Sequence, residues 1–345
     1  MIDILLTSAV LLLLAAAIFP QNKPDDGTFF LKKEYTSWLM GLCAIVVIMV
    51  HFSEPYQNPL QDLIGSFAFV AVMFFFLISA YGMQYSVEHK PDYLKHFWRN
   101  RLVSLVTPCI IINIFRFAYY SLTRGQAEWR ELLHLYGYVL VLLQYCLLFF
   151  VVIAIARKTN LRQHWITDAL LISGVASSSL YIYLSTDDHA ISADLGWCYE
   201  RWGLIFGLLL YRFRQPITRW LNDKRIQKTA VMLITCLILG VAYLKWKQEW
   251  FYGEFCLKII LGLAIITFTF LLTQKRAFGN RFSHFLSSIS YEVYLSHGFV
   301  MAVLAEWWPG MRSGLFVLLT FAATFIFSFL VHAISSRLVK RWRTK

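Results

Sequence analysis

By length alone, a chain of 345 residues would hold two or three soluble domains. Its composition excludes that: 58% of the residues are apolar, 15% are charged and the mean hydropathy is +0.57, whereas a soluble globule carries about 25% charged residues. Disorder is excluded too, since disordered segments need low hydrophobicity. The net charge of +12 suggests a nucleic-acid partner only until position is considered. Most Lys and Arg sit in short clusters between apolar runs, as membrane topology demands, so no nucleic acid is expected. The expected fold class is an all-α polytopic membrane protein, because the long unbroken apolar runs lack the alternating ten-residue strands of a membrane barrel.

A helix needs about 20 mainly apolar residues to cross the hydrocarbon. In chain order the expected spans are Ile4–Asn22, Tyr35–Ser53, Leu63–Val87, Leu102–Leu122, Leu132–Ala156, Ala169–Thr186, Trp197–Tyr211, Thr229–Leu244, Phe255–Thr273, Phe285–Ala305 and Ser313–Ser336, eleven in all. The first lacks a positively charged start and a good cleavage site, so it reads as a retained helix rather than a signal peptide. The connections at 20–35, 88–101, 156–165, 212–228 and 274–284, with the tail after Ser336, hold 24 Lys and Arg; the opposite set holds 5. The positive-inside rule then puts the N-terminus outside and the C-terminus in the cytoplasm. Residues 1–35 are expected to form an extra N-terminal helix and its connection, and residues 36–345 a ten-helix domain with both ends inside.

Six cysteines (Cys43, Cys109, Cys146, Cys198, Cys236, Cys256) lie in or beside apolar segments without C-x-x-C spacing. They read as small buried hydrophobes, and no metal is expected. Ionisable groups inside spans are costly and are therefore candidates for function. They are His51 in "IVVIMVHF", Arg116 in "IINIFRF", Glu200 and Arg201 in "GWCYERWG", Lys258, and Glu292 and His297 in "SYEVYLSHG". Each has an ordinary role open to it as well. Glu200, Arg201 and Lys258 are near enough to the outer interface to snorkel, and a helix-end His is more often structural than catalytic. Glu292 and His297, five apart, do not share a helix face. In "HFWRNRLVSLVTP", Arg99 and Arg101 are either positive-inside charge or a clamp for an anionic cytosolic ligand, since guanidinium forks match phosphate oxygens. His189 and Asp194 have the H-x-x-x-x-D spacing of some glycerolipid acyltransferases, but that spacing arises readily by chance and sits in a short loop.

Six strings taken together resemble the membrane acyltransferase family 3, the integral membrane O-acyltransferases of bacterial envelopes. They are "SWLMGLCAIVVIMVHF" (37–52), "AFVAVMFFFLISAYGM" (68–83), "YLKHFWRNRLVSLVTP" (93–108), "YGYVLVLLQY" (136–145), "WCYERWGLIFGLLLYRFR" (197–214) and "FLSSISYEVYLSHGFV" (285–300). The resemblance implies transfer of an acyl group, usually acetyl from cytosolic acetyl-CoA, to a hydroxyl of an envelope or exported polysaccharide, in the bacterial inner membrane. No permanently bound cofactor is implied; acyl-CoA is a co-substrate. On this reading His51 is the general base, Arg99 and Arg101 bind the CoA phosphates, and Glu200 and His297 line the site. Arg116, Lys258 and Glu292 are candidates from burial in spans alone. Two departures stand out. Met40 occupies the position, eleven residues before His51, where the family commonly has Arg or Lys, and Ala80 replaces the usual Gly after Ser79. The main rival reading is an exporter of a glycan or lipid-linked sugar, because intramembrane charges are common to both classes; a third, motivated by Met40, is a non-catalytic membrane subunit that retains the fold. The acceptor is not legible, and succinyl remains an alternative to acetyl.

Overall fold

In hydrocarbon a backbone amide finds no water, so an apolar run of twenty residues can satisfy its N–H and C=O groups only by coiling into a helix. The computed structural model describes residues 2–18, 32–125, 128–159, 164–186, 196–275 and 280–343, and every regular element among them is helical. In chain order these are α1 (Ile2–Ile18), α2 (Lys33–Val50), α3 (Pro59–Ser66), α4 (Phe69–His89), α5 (Phe97–Arg124), α6 (Gly137–Lys158) and α7 (His164–Ser185). They continue as α8 (Trp202–Arg212), α9 (Arg214–Asn222), α10 (Arg225–Trp246), α11 (Lys258–Thr273), α12 (Arg281–Trp307) and α13 (Ser313–Arg343). A π-helical turn, Tyr252–Leu257, leads into α11.

Each of the eleven apolar segments holds a helix, but the count of eleven spans is not confirmed. Among the described residues, eight helical stretches are both long and apolar enough to cross a membrane. Of the others, α1 has 17 residues and α8 only 11. Helix α12 is long enough at 27 residues but is diluted by Ser287, Ser288, Glu292 and His297. Helices α8 and α12, sheltered by neighbours, can be short or polar where a lipid-facing helix cannot, whereas α1 is largely exposed. The short α3 and α9 were not expected from the sequence. His189 and Asp194 lie outside the described residues.

Helix α8 is sheltered by its contact with α4, the most extensive between any two elements. Gly203 and Gly207 make that contact possible: a Cβ on either would stand 2.2 Å from the carbonyl oxygen of Met73 or Leu77. This is the small-x-x-x-small geometry that lets membrane helices approach closely. The Ala80 methyl lies 3.0 Å from where a Gly207 Cβ would be, so the residue that departs from the family pattern is accommodated by the glycine opposite. Helix α2 packs on α12 and α4, and α13 packs on α12, α5 and α1. Helix α1 is pinned by polar contacts, with Asn58 donating to Thr7 Oγ1 at 3.0 Å and Arg312 pairing with Asp3 at 3.4 Å.

Contacts between connections keep two ends of the bundle apart. At one end Arg212 forks onto Asp168 at 2.7 and 2.9 Å and reaches Glu88 at 3.2 Å, and Arg157 donates to the Val87 carbonyl at 3.1 Å. Gln274 donates to the Leu221 carbonyl at 2.8 Å, and Asn280 donates to that of Ala17. At the other end Arg124 pairs with Glu306 at 3.1 Å, and Asn113 donates to the His134 carbonyl at 2.7 Å. All the connections tied together at the first end belong to the Lys- and Arg-rich set.

Candidate active site

His51 follows the last residue of α2, where the helix has ended and the side chain is exposed. Its Nδ1 lies 2.8 Å from the Val47 carbonyl. A carbonyl only accepts, so Nδ1 carries the hydrogen, and in the neutral ring Nε2 is left with its lone pair. His297, buried in α12, is held the same way, with Nδ1 3.0 Å from the Val293 carbonyl. The two imidazoles meet edge to face, 4.5 Å between ring centres. Two imidazole rings 246 positions apart in the chain thus share one wall.

That wall belongs to a cavity of about 320 Å³ lined by His51, Arg116, Tyr120, Tyr136, Trp197 and His297, among others. The turn before α8 supplies Trp197, whose φ of +53° is unusual for a bulky residue. Its ring presses on Gly137, where a Cβ would come within 2.1 Å of ring carbon Cζ3. Only glycine admits the indole there. Arg116, from α5, is the one Lys or Arg lining the cavity among the described residues and sits beside Tyr136.

Fifteen residues before Arg116 on the same helix stands Arg101, about 22 Å away along the axis at 1.5 Å per residue. It lines a second cavity of about 550 Å³ with Lys90, Tyr93, His96, Asn100 and Ser104. Arg101 donates to the Tyr93 hydroxyl at 2.9 Å. Pro108 lies inside α5 one turn beyond Ser104, and its ring nitrogen cannot bond the Ser104 carbonyl. Arg99 is exposed and is not among the residues lining this cavity.

Between the two cavities runs a column of rings. Tyr294 lies 6.1 Å from His297 and 4.7 Å from Tyr138, which stacks on Phe76 at 4.9 Å. Farther along α6, Tyr145 and Phe149 are 6.1 Å apart, and Phe149 stacks at 6.1 Å on Phe97, a residue of the second cavity.

The remaining expected site residues do not line the His51 cavity. Glu200 is buried with one oxygen unpartnered, in the field of Lys258 and Arg201. Lys258 places its ammonium 3.8 Å from the centre of the Tyr199 ring. Glu292 points the other way from His297, accepting from Ser335 at 3.2 Å and pairing with His332 at 3.0 Å. Sequence reasoning missed Tyr120, Tyr136 and Trp197, since aromatic residues near helix ends resemble an ordinary interfacial belt, and Tyr294, which in mid-helix resembles a core ring.

A family model described as an acyltransferase domain, that of acyltransferase family 3, matches residues 34–333. The chain belongs to this family. No curated protein and no solved structure matches it. The match covers all the cavity-lining residues named above and leaves α1 outside. The protein is therefore a multi-pass acyltransferase.

Proposed function

We propose that this acyltransferase moves an acetyl group from cytosolic acetyl-CoA to a hydroxyl of an envelope or exported glycan, in the bacterial inner membrane. The observation that carries the reading is the pair of cavities on α5, one with two imidazoles and Arg116, the other with Arg101. The Lys and Arg alternation supports a cytoplasmic basic end, with the N-terminus outside and the C-terminus inside. Residues 36–345 form the catalytic unit on this reading, and 1–35 an added helix.

CoA is polyanionic and cytosolic, so its phosphates belong with Arg101, and with Arg99 at the rim. Its thioester arm reaches toward His51 along the ring column, whose side chains must part to admit it. The acceptor hydroxyl enters the other cavity and gives its proton to Nε2 of His51 as its oxygen attacks the thioester carbon. Arg116 faces the oxyanion that forms. When that intermediate collapses, the carbon–sulfur bond breaks and the departing thiolate takes the proton from the imidazolium. His297 backs the His51 ring and limits its rotation. Glu200 and Lys258 stand outside the cavity lining, and Glu292 faces Ser335 and His332 instead.

Titration of the purified protein in nanodiscs with acetyl-CoA tests the reading, with thiol release followed in parallel. Saturable binding and slow thiol release, water standing in for the acceptor, are the expected results. A folded protein that binds neither acetyl- nor succinyl-CoA would contradict the reading and favour a glycan exporter.

A further inference from the structure

Away from both cavities, helices α6, α7 and α8 enclose a lateral groove of about 460 Å³. Its body is apolar, formed by Val141, Leu148, Val175 and Leu204, and its rim includes Tyr181, which is 72% exposed. Gly174 lets the walls converge, since a Cβ there would come within 2.7 Å of Leu148. Such a groove at membrane depth has lipid beside it.

Its polar groups are what set it apart. Gln144 is the one amide in the apolar run of α6; it is exposed and has no hydrogen-bond partner among the described residues. The Tyr145 hydroxyl is buried and unpartnered. Arg201, 4% exposed, donates Nε to the Gly196 carbonyl at 3.1 Å and Nη1 to Ser178 at 3.2 Å. Its Nη2 has no partner among the described residues, and neighbouring Glu200 makes no ion pair with it. An amide facing hydrocarbon is costly when left alone, and a buried guanidinium that meets its nearest carboxylate, Glu200, only through space keeps a donor to spare. Together they offer donors for phosphate and ester oxygens at the mouth of an apolar slot.

We propose that the groove between α6 and α7 binds an anionic phospholipid of the surrounding bilayer. The headgroup phosphate sits on Arg201, an ester oxygen accepts from Gln144, and one acyl chain lies along Val175 toward Leu148. This inference is independent of the acyl-transfer reading, because its test reads lipid and not activity.

The test is native mass spectrometry of the full chain taken from nanodiscs of mixed phosphatidylglycerol and phosphatidylcholine. After collisional stripping of loosely held lipid, wild type retains one phosphatidylglycerol. Gln144→Leu and Arg201→Gln retain it about tenfold less, the loss expected for a charge-assisted or buried hydrogen bond. Ser178→Phe, which fills the slot, retains none. Thermal melting in detergent checks that each variant folds, and exposed Gln144 carries the test if Arg201→Gln does not. Equal retention of the zwitterionic lipid, unchanged retention by folded Ser178→Phe, or no retained lipid on folded wild type would each overturn the proposal.

Discussion

The His51 cavity is walled by aromatic rings, two imidazoles and Arg116, while the Arg101 cavity is more polar, with Lys90, Asp92, His96, Asn100 and Ser104 in its wall. Both draw on α5, so one rigid element fixes their separation. The polar cavity suits recognition of a charged, water-soluble molecule, and the aromatic one offers ring faces beside the imidazoles, which suit a neutral hydroxyl-bearing acceptor. If the proposed function holds, binding and chemistry sit at opposite ends of one helix, so substitutions at the two ends should fail in different ways.

The largest effect is expected where the frame that holds both ends is broken. Gly203→Leu would drive a side chain into the Met73 carbonyl, and overpacking a close helix contact is not relieved by small shifts. Little folded protein should be recovered, as size-exclusion chromatography in detergent would reveal. Next comes the split between the ends. His297→Ala should lower turnover on the order of a hundredfold through loss of positioning, with acetyl-CoA affinity unchanged. Arg101→Ala should instead weaken acetyl-CoA binding about tenfold while turnover at saturation holds, and Arg101→Lys should restore part of it. Calorimetric titration beside thiol release separates the two; a single variant that damaged both alike would dissolve the comparison. The smallest effect belongs to His332→Ala, which removes one partner of Glu292 on the far face of α12. It should cost about 1–2 kcal/mol of stability and leave turnover in place. A melting curve with and without the substitution checks it.

The helical class and the place of every apolar segment were legible because lipid leaves the backbone so little choice. The candidate His51 was visible as a costly group at a helix end, and His297 as another, but nothing in their spacing said that α2 and α12 would bring the rings together. Charge clusters were read as topology, which hid the Arg212–Asp168–Glu88 knot and the fact that Arg101, unlike Arg99, turns into a cavity. The Gly203-x-x-x-Gly207 spacing is itself a sequence signal of the close α4–α8 contact. The span count failed to settle for a physical reason: α8 and α12 lie among other helices, so hydropathy tuned to lipid-facing segments does not describe them.

The account rests most directly on His51. Thiol release from acetyl-CoA by His51→Ala, measured on folded protein beside its acetyl-CoA affinity, tests it in one experiment. A fall of about a hundredfold or more with wild-type affinity is the predicted result, matching the loss of a general base. Thiol release at the wild-type rate would contradict the assignment and move the chemistry away from the imidazole pair.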